Sequence, residues 1–263
     1  MDEVAEARAL LRDAGRVAVL TGAGISTASG IGDYRGPQGR WTLDPDAERV
    51  STLSWYLNDP DVRAKAWRFR AESPVYDAQP NDAHRALVGL EQGARLTGLV
   101  TQNTDGLHQL AGSNPELVIE LHGNSRTWRC ERCRATGEMT EMIRRVRAGE
   151  TDPRCPYDGG IVRATTILFE ENLDPANIDA AVAAVEEADV LLVIGTSLTV
   201  HPAAGLVPYA HRRGTAVIIV NAEPTAMDSL ADAVLPLSPP WYVDAQAGCC
   251  GPLSTTLLPV WRI

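Results

Sequence analysis

The sequence lacks long hydrophobic runs, an excess of positive charge and a large set of cysteines. Its longest apolar stretches, such as VLLVI at 190–194, are far too short to cross a bilayer. The net charge of −10 repels phosphate backbones, so we do not expect nucleic acid as a partner, and we interpret the Arg-rich segment 126–147 as a solvated face. The N-terminal stretch MDEVAEARALLRDAG is acidic and amphipathic, unlike a signal peptide. We therefore expect a cytoplasmic protein that does not bind membranes.

Only five cysteines are present, and in a reducing compartment they favour metal binding or free thiols over a disulfide framework. CERC at 130–133 has the spacing of half a zinc site, and CPYDGG at 155–160 begins like the other half. Asp158 stands where a fourth thiolate is expected. Aspartate is a legitimate zinc ligand, but it is harder than a thiolate, so we expect a weakened affinity. Cys249 and Cys250 fit no metal-ligand spacing and are predicted to be bystanders.

Short apolar runs rich in β-branched residues predict strands that are covered on both faces of a sheet. These runs lie at 16–22, 96–103, 116–123, 188–197 and 216–224. Helical patterns lie between them, at 2–14, 82–92 and 177–188. Because strands and helices alternate, the sequence predicts an α/β fold with a Rossmann-like, doubly wound parallel sheet.

Two segments interrupt this alternation. Residues 31–81 are rich in Pro, Asp, Trp and Arg, and residues 124–165 hold three cysteines around a charged helical stretch. We predict that the two segments pack together as a smaller inserted domain with a zinc-ribbon-like module. The Rossmann-like domain then comprises residues 1–30, 82–123 and 166–263.

The first predicted strand leads directly into GAGIS at 22–26. Glycines in such a turn let the backbone approach a pyrophosphate, and the following helix offers unpaired N–H groups to it. The third glycine of the usual dehydrogenase fingerprint is absent, because position 27 is threonine. The loop is therefore either a dinucleotide site or simply a tight turn from strand to helix.

The longer stretch GAGISTASGIGDYRGPQGRW at 22–41 resembles the sirtuin family of NAD-dependent protein deacylases, of bacterial type. Four later segments resemble family motifs in the same order. They are TQNTDGLH at 101–108, LHGN at 121–124, GTSLTVHPAAGL at 195–206 and IVNAEPT at 219–225. The resemblance covers residues 16–225 and implies NAD as cofactor and an acyl-lysine protein or peptide as substrate.

The resemblance also implies the reaction. The acyl oxygen of a modified lysine attacks the nicotinamide ribose as nicotinamide leaves, and a base then deprotonates a ribose hydroxyl, which attacks the acyl carbon. The products are free lysine, nicotinamide and O-acyl-ADP-ribose. His122 is the expected base, because an imidazole titrates near neutral pH. A histidine at a strand end is by itself more often structural, and the family motif around His122 favours the catalytic interpretation.

Further site residues follow from the same resemblance. Asn103 and Asp105 are expected at the nicotinamide ribose and amide, although Asn-Thr-Asp also has the pattern of a helix cap. The other expected cofactor contacts are Gly22, Ala23, Gly24, Asp33, Tyr34, Arg35, Gln102, Gly195, Thr196, Ser197, Asn221 and Glu223. The zinc of the family is structural, and the expected ligands here are Cys130, Cys133, Cys155 and Asp158. His108, His201 and His211 are expected to be structural or surface residues.

Three positions depart from the family motifs. Gly32 replaces a proline. Because glycine leaves the unfolded chain more conformational freedom, we expect it to lower the stability by about 0.4–1 kcal/mol and to make the cofactor loop more mobile. Glu170 replaces a glycine in a segment that the resemblance places along the peptide cleft, where its side chain is expected to crowd the peptide and favour basic substrates. With Asp158 as the third departure, we expect catalysis to persist in weakened form.

Several alternatives stay open on the sequence alone. WRFR at 67–70 lacks the tyrosine of the Tyr-x-x-Arg pair found in members that prefer acidic acyl groups, so acetyl is favoured over an acidic acyl group. NAD-dependent ADP-ribosyl transfer, a dehydrogenase on the same fold and a zinc-ribbon binding protein with little or no catalysis are the competing functions. The residues indicate no oligomeric state.

Overall fold

Nine strands form two sheets in the computed structural model, which describes residues 3–32 and 47–236. The strands are β1 (Val17–Thr21), β2 (Leu96–Thr101), β3 (Val118–Glu120), β4 (Thr127–Cys130), β5 (Thr136–Glu138), β6 (Val162–Ala164), β7 (Val190–Ile194), β8 (Ala216–Asn221) and β9 (Ala233–Pro236). The described helices are α1 (Glu3–Asp13), α2 (Ala47–Val50), α3 (Leu53–Asn58), α4 (Pro60–Glu72), α5 (Asp82–Gln92), α6 (Leu107–Ala111), α7 (Met139–Arg147), α8 (Pro175–Glu186) and α9 (Leu206–Arg213). Short 3₁₀ turns lie at Ala23–Ser29, Pro74–Tyr76, Ala203–Gly205 and Asp228–Leu230.

The main sheet has the strand order β3-β2-β1-β7-β8-β9, and every neighbouring pair is parallel. This is the doubly wound order in which the chain starts at the centre, builds outward to one edge and then returns to build the other half. The direction of winding reverses between β1 and β7, and ligands bind at the carboxyl ends of strands at such a point. The predicted α/β, Rossmann-like class is confirmed.

Successive residues of the central strands pack on opposite faces of the sheet, as the pleat of a strand requires. Val19 contributes to the core on the side of α1 and α5, and Leu20 to the core on the side of α8 and α9. All five residues of β1 and of β7 are buried. The predicted two-sided burial is therefore confirmed for the centre of the sheet.

The predicted helices begin where capping residues stand. Asn81 accepts hydrogen bonds from the backbone N–H groups of Ala83 and His84 at the start of α5. At the start of α8, Asp174 accepts from the Ala176 N–H, and Pro175 occupies the first helical position.

The strand predictions were wrong in two respects. β3 is only three residues long, whereas the sequence predicts a strand over 116–123, because the chain turns at Gly123 with φ +71°. The sequence gives no indication of β9 or of the antiparallel sheet β5-β4-β6, because strands of three or four residues are too short for an alternating pattern to stand out.

The two segments outside the alternation share a hydrophobic cluster. Trp67 of α4 packs with Trp128 of β4 and with Met139 and Met142 of α7. The prediction of one small inserted domain requires such a contact between the two segments. The domain boundaries stay a prediction. Among the described residues no helix combines the length and the apolar character needed to cross a membrane.

Four charged side chains alternate in sign beside this cluster. Arg163 is only 1% exposed and binds Glu131 and Glu171, and Arg129 binds the same two carboxylates, each at 2.9 Å. Interpreting residues 126–147 as a solvated face was therefore wrong for Arg129, because its guanidinium is needed to balance two partly buried carboxylates.

Candidate active site

Glycines bring two loops into direct backbone contact at the point where the sheet reverses direction. The Gly24 N–H donates to the Gly195 carbonyl oxygen at 2.8 Å. A Cβ on Gly22 would lie 2.7 Å from that same carbonyl, and Gly195 has φ +63°. The tight-turn interpretation of the loop is thus correct, and it leaves the N–H groups of the Ala23–Ser29 turn at the carboxyl edge of the sheet, where a dinucleotide site requires them.

A buried polar cluster lies directly beneath this loop. The Ser26 hydroxyl donates to the Asp105 carboxylate at 2.7 Å, and the Asn103 amide donates to Ser26 Oγ and to the Gly22 carbonyl, each at 3.1 Å. All three side chains are buried, and Ser26 lies 77 positions before Asn103 and 79 before Asp105. Asn103 and Asp105 are predicted site residues, whereas Ser26 was missed although it stands inside the GAGIS motif.

Asp105 uses both of its carboxylate oxygens. One accepts from Ser26, and the other accepts at 2.9 Å from the N–H of Leu107, the first residue of α6, whereas the N-cap position itself is Gly106. The backbone carbonyl of Asp105 accepts from Arg126 Nε at 2.6 Å. Arg126 also donates to the Val75 carbonyl at 2.7 Å and was missed as a residue that holds the site.

His122 follows β3, and one of its ring nitrogens is held by backbone. Its Nδ1 lies 2.9 Å from the carbonyl oxygen of Gln102. A carbonyl oxygen only accepts, so Nδ1 carries the proton and Nε2 of the neutral ring keeps its lone pair. Burial lowers the pKa of His122, and the hydrogen bond to Gln102 opposes that effect. The imidazole is therefore neutral at pH 7 and suited to accept a proton at Nε2.

The loops after β2 and β7 are joined by side chains. Gln102 Nε2 donates to Thr196 Oγ1 at 2.9 Å, and the Thr196 side chain is buried. The neighbouring Ser197 is exposed, and its hydroxyl lies 3.0 Å from that of Thr199. After β8, Asn221 Nδ2 donates to the Glu223 carbonyl oxygen at 2.7 Å, and the Glu223 side chain is exposed to solvent.

Most of the predicted site residues therefore gather at one edge of the sheet. The carboxyl ends of β1, β2, β3 and β7 bring together Gly22, Ala23, Gly24, Gln102, Asn103, Asp105, His122, Gly195, Thr196 and Ser197. Asn221 and Glu223 lie one strand further along, after β8. Asp33, Tyr34 and Arg35 lie outside the described residues, as do Cys249 and Cys250. Gly32 is exposed, and a Cβ there would meet nothing within 4 Å.

Two buried histidines form a further layer that the motif analysis did not find. His108 Nε2 lies 3.0 Å from Thr21 Oγ1, which itself donates to Thr101, and the ring centroids of His84 and His108 are 4.9 Å apart. Burial lowers the pKa of His84 to about 4 and that of His108 to about 3. Both rings are neutral near pH 7. The predictions for the other histidines are confirmed, since His108 packs inside and His201 and His211 are exposed.

The predicted metal ligands lie together on the small sheet. One ligand atom each from Cys130, Cys133, Cys155 and Asp158 lies within 4.8 Å of all the others. A Cβ on Gly160 would lie 2.7 Å from Cys130 Sγ and 3.0 Å from Asp158 Oδ1, so glycine is needed for the thiolate and the carboxylate to approach. The Gly160 N–H donates to Asp158 at 2.8 Å and lowers the pKa of this carboxyl group. Three sulfurs and one ionised oxygen fit a tetrahedral zinc site.

We expect the purified protein to contain about one zinc per chain, held in part by Asp158. Asp158→Asn, which removes the charge and keeps the shape, should weaken zinc retention by at least about tenfold, since even outer partners of metal sites change affinity by roughly 10–100-fold. Asp158→Cys should strengthen retention. Metal analysis and competition with a chelator measure both effects, with the exposed Asp179→Asn as control. Equal retention by Asp158→Asn and wild type would exclude Asp158 as a ligand.

Three comparisons with known proteins point to the same family. The family model described as "Sir2 family" matches residues 22–202. The NAD-dependent protein deacetylase 2 of Streptomyces coelicolor is 47% identical over 219 residues, which cover 83% of this chain and 91% of the relative. The NAD-dependent protein deacetylase of Caldivirga maquilingensis is 43% identical over 233 residues, covering 88% and 87%. A solved Sir2 structure with a deacetylated peptide and 3′-O-acetyl ADP-ribose has a TM-score of 0.80 and 34% identity, covering 88% of this chain and 92% of that one.

Proposed function

The chain belongs to the Sir2 family, and from this premise we propose that it is an NAD-dependent protein-lysine deacylase that acts on acyl-lysine in proteins or peptides. Its products are free lysine, nicotinamide and O-acyl-ADP-ribose. The observation that carries the mechanism is the position of His122, whose Nδ1 is fixed by the Gln102 carbonyl at the same sheet edge as the Ser26–Asn103–Asp105 cluster.

The loops after β1, β2 and β7 are suited to hold NAD. When bound, NAD supplies the ribose carbon that accepts the acyl oxygen and the nicotinamide that leaves. The Gly22–Gly195 contact keeps side chains out of the approach to the backbone, and the turn after Gly22 presents N–H groups to a pyrophosphate. Asn103 uses its amide N–H groups on Gly22 and Ser26, so its carbonyl oxygen is left as an acceptor that orients water or the cofactor amide.

His122 acts as the general base in this proposal. Its Nε2 accepts the proton of a ribose hydroxyl, and the Gln102 carbonyl then stabilises the charged ring through the Nδ1–H bond. Burial keeps the imidazole neutral before the step, because it disfavours the charged form. The protein thus holds an unprotonated base at neutral pH without needing a carboxylate partner for the ring.

A short neutral acyl group such as acetyl is the proposed preference. Trp67 stands where members that favour acidic acyl groups have a tyrosine, and its side chain is fully buried in the cluster of the small sheet. The Arg70 guanidinium lies over the Trp67 ring at 5.7 Å from the centroid. This arrangement supports a site without a tyrosine–arginine pair for an acidic acyl chain.

We also propose a cytoplasmic location for the protein. Cys130, Cys133 and Cys155 form no disulfide, and Cys133 is exposed. Thiolate ligands of zinc persist in a reducing compartment and are oxidised outside it. Fractionation of the native host with an antibody against the chain would test the location.

Mass spectrometry of the products formed from NAD and a panel of acyl-lysine peptides tests the proposed function. We expect nicotinamide, deacetylated peptide and O-acetyl-ADP-ribose in equal amounts, with acetyl turned over faster than succinyl. Accumulation of NADH would instead indicate a dehydrogenase. Transfer of label from NAD to a protein acceptor, without deacetylated peptide, would indicate an ADP-ribosyltransferase.

A further inference from the structure

Glu170 has a backbone conformation that favours glycine. Its φ is +74°, in the left-handed region where a residue with a Cβ is disfavoured. Glu170 therefore occupies a backbone shape that glycine adopts at a lower energetic cost. Another residue persists in such a shape only where its side chain makes compensating contacts.

The contacts of Glu170 are both made with one residue of α3. One carboxylate oxygen accepts from the Ser54 backbone N–H at 2.8 Å, and the other accepts from the Ser54 hydroxyl at 2.9 Å. Ser54 is the second residue of α3, so its N–H has no partner inside the helix. A charged acceptor at this position satisfies a free donor and complements the helix dipole.

Backbone hydrogen bonds continue the same junction. The Phe169 N–H donates to the Ser51 carbonyl at 2.8 Å, and the Leu53 N–H donates to the Phe169 carbonyl at 3.1 Å. The segment 168–171 is therefore attached to residues 51–54 by two backbone bonds and by the Glu170 side chain. We call this junction the clasp. The sequence predicts that Glu170 crowds a peptide, whereas the structure directs its carboxylate onto Ser54.

The clasped segment starts beside the proposed base. The Ile167 N–H donates to the His122 carbonyl oxygen at 2.9 Å, so segment 168–171 leads away from His122. Segment 168–171 therefore offers a surface next to His122 for the residues that flank an acyl-lysine. Phe169 precedes Glu170 and Trp55 follows Ser54 in the chain, and these large apolar side chains are 39% and 46% exposed, with the Arg49 guanidinium over the Trp55 ring at 4.1 Å from its centroid. They offer apolar contact to an extended peptide.

We propose that Glu170 is a positioning residue for the protein substrate. Its carboxylate holds segment 168–171 against the start of α3 and so fixes the wall along which the acyl-lysine peptide lies. This inference rests on the proposed deacylase function and assigns Glu170 no part in the chemical step. Because Ser54 engages both carboxylate oxygens, Glu170 acts through the wall and is not a free anion that selects basic peptides.

Steady-state kinetics of the full chain with an acetyl-lysine peptide tests the clasp. Glu170→Gly should raise KM for the peptide about tenfold, and leave KM for NAD and kcat within about twofold, because an interaction of ordinary strength is lost from peptide binding alone. Glu170→Gln should retain near wild-type KM, since its Oε1 accepts from the Ser54 N–H and its Nε2 donates to the hydroxyl. The exposed Glu116→Gln is the matched control.

Thermal unfolding separates positioning from a general structural role. Glu170→Gly loses the two side-chain bonds of the clasp but also relieves the unfavourable φ, so its Tm should stay close to that of wild type while KM for the peptide rises. The double variant Glu170→Gly with Ser54→Ala should bind the peptide no more weakly than Glu170→Gly alone. An unchanged KM for the peptide in Glu170→Gly would overturn the proposal. A general defect would also overturn it, in which Tm and kcat fall and the KM values for peptide and NAD rise to a similar extent.

Amide hydrogen exchange tests whether Glu170 holds segment 168–171 in place, and it does so independently of enzyme turnover. In wild type the amides of residues 53, 54 and 169 should be protected, and Glu170→Gly should lose protection at residue 54 and across 168–171. Identical protection in the two proteins would refute the clasp even if the enzyme is active. If wild type turns over no acyl-lysine peptide, the proposed function fails, and the exchange experiment still shows whether Glu170 holds the segment.

Discussion

His122→Ala should abolish measurable NAD-dependent deacylation while the protein stays folded. Loss of a positioned general base typically lowers kcat by about 10²–10⁴-fold. The ring makes its Nδ1 bond to a backbone carbonyl, so its removal leaves no buried charge and breaks one hydrogen bond among the described residues. Steady-state turnover of an acetyl-lysine peptide, with circular dichroism of the same sample, measures both parts of this prediction.

His211→Ala is the matched control, because His211 is exposed on α9 and away from the sheet edge. It should have wild-type kcat and KM. Near-normal turnover by His122→Ala would remove the base assignment. In wild type, kcat/KM should fall as pH drops through the lowered pKa of His122, since protonation occupies the lone pair at Nε2.

Acidification from pH 7 to pH 5 should destabilise the protein through His84 and His108. Their folded pKa values of about 4 and about 3 lie below the ordinary 6.5, so the unfolded chain takes up protons first as the pH falls. The contribution of the two neutral rings to the unfolding free energy is complete above pH 6.5 and is lost progressively toward about pH 4 for His84 and about pH 3 for His108. At pH 5 the loss is about 2 kcal/mol for each imidazole. Urea unfolding at both pH values measures it.

His108→Gln separates this effect from the titration of other groups. Glutamine donates to Thr21 as the Nε2–H of His108 does, but it does not titrate. The variant should lose about half of the difference in unfolding free energy between pH 7 and pH 5, whatever its stability at pH 7. An unchanged difference would show that His108 is protonated at no extra cost in the folded state.

Sequence alone was sufficient for features that are local in the chain. The central strands were predicted because each buries both faces and reads as a continuous apolar run, as Val190–Ile194 does. The metal cluster was predicted because its ligands stand at fixed short spacings, with Cys130 and Cys133 three positions apart. Edge strands such as β9 were missed because four residues, two of them buried, give no distinct pattern.

Contacts between residues that lie far apart in the chain could not be predicted from the sequence. Ser26 is bound by Asn103 and Asp105 only because β1 and β2 pair side by side in the parallel sheet. His84 reads as one polar position on an amphipathic helix, and nothing local shows that it faces His108. The partner of Glu170 was not predictable for a related reason, since Ser54 lies 116 positions earlier.

The alternating charges around Arg163 join two parts of the molecule that are otherwise described separately. Glu131 lies between the metal-ligating Cys130 and Cys133, and Glu171 ends the segment held by the clasp. Arg163 binds both carboxylates at once, and its side chain is almost wholly shielded from water. The metal cluster and the segment held by the clasp are thus connected through one buried arginine. We therefore expect removal of the metal to affect the position of segment 168–171, and with it the proposed peptide wall.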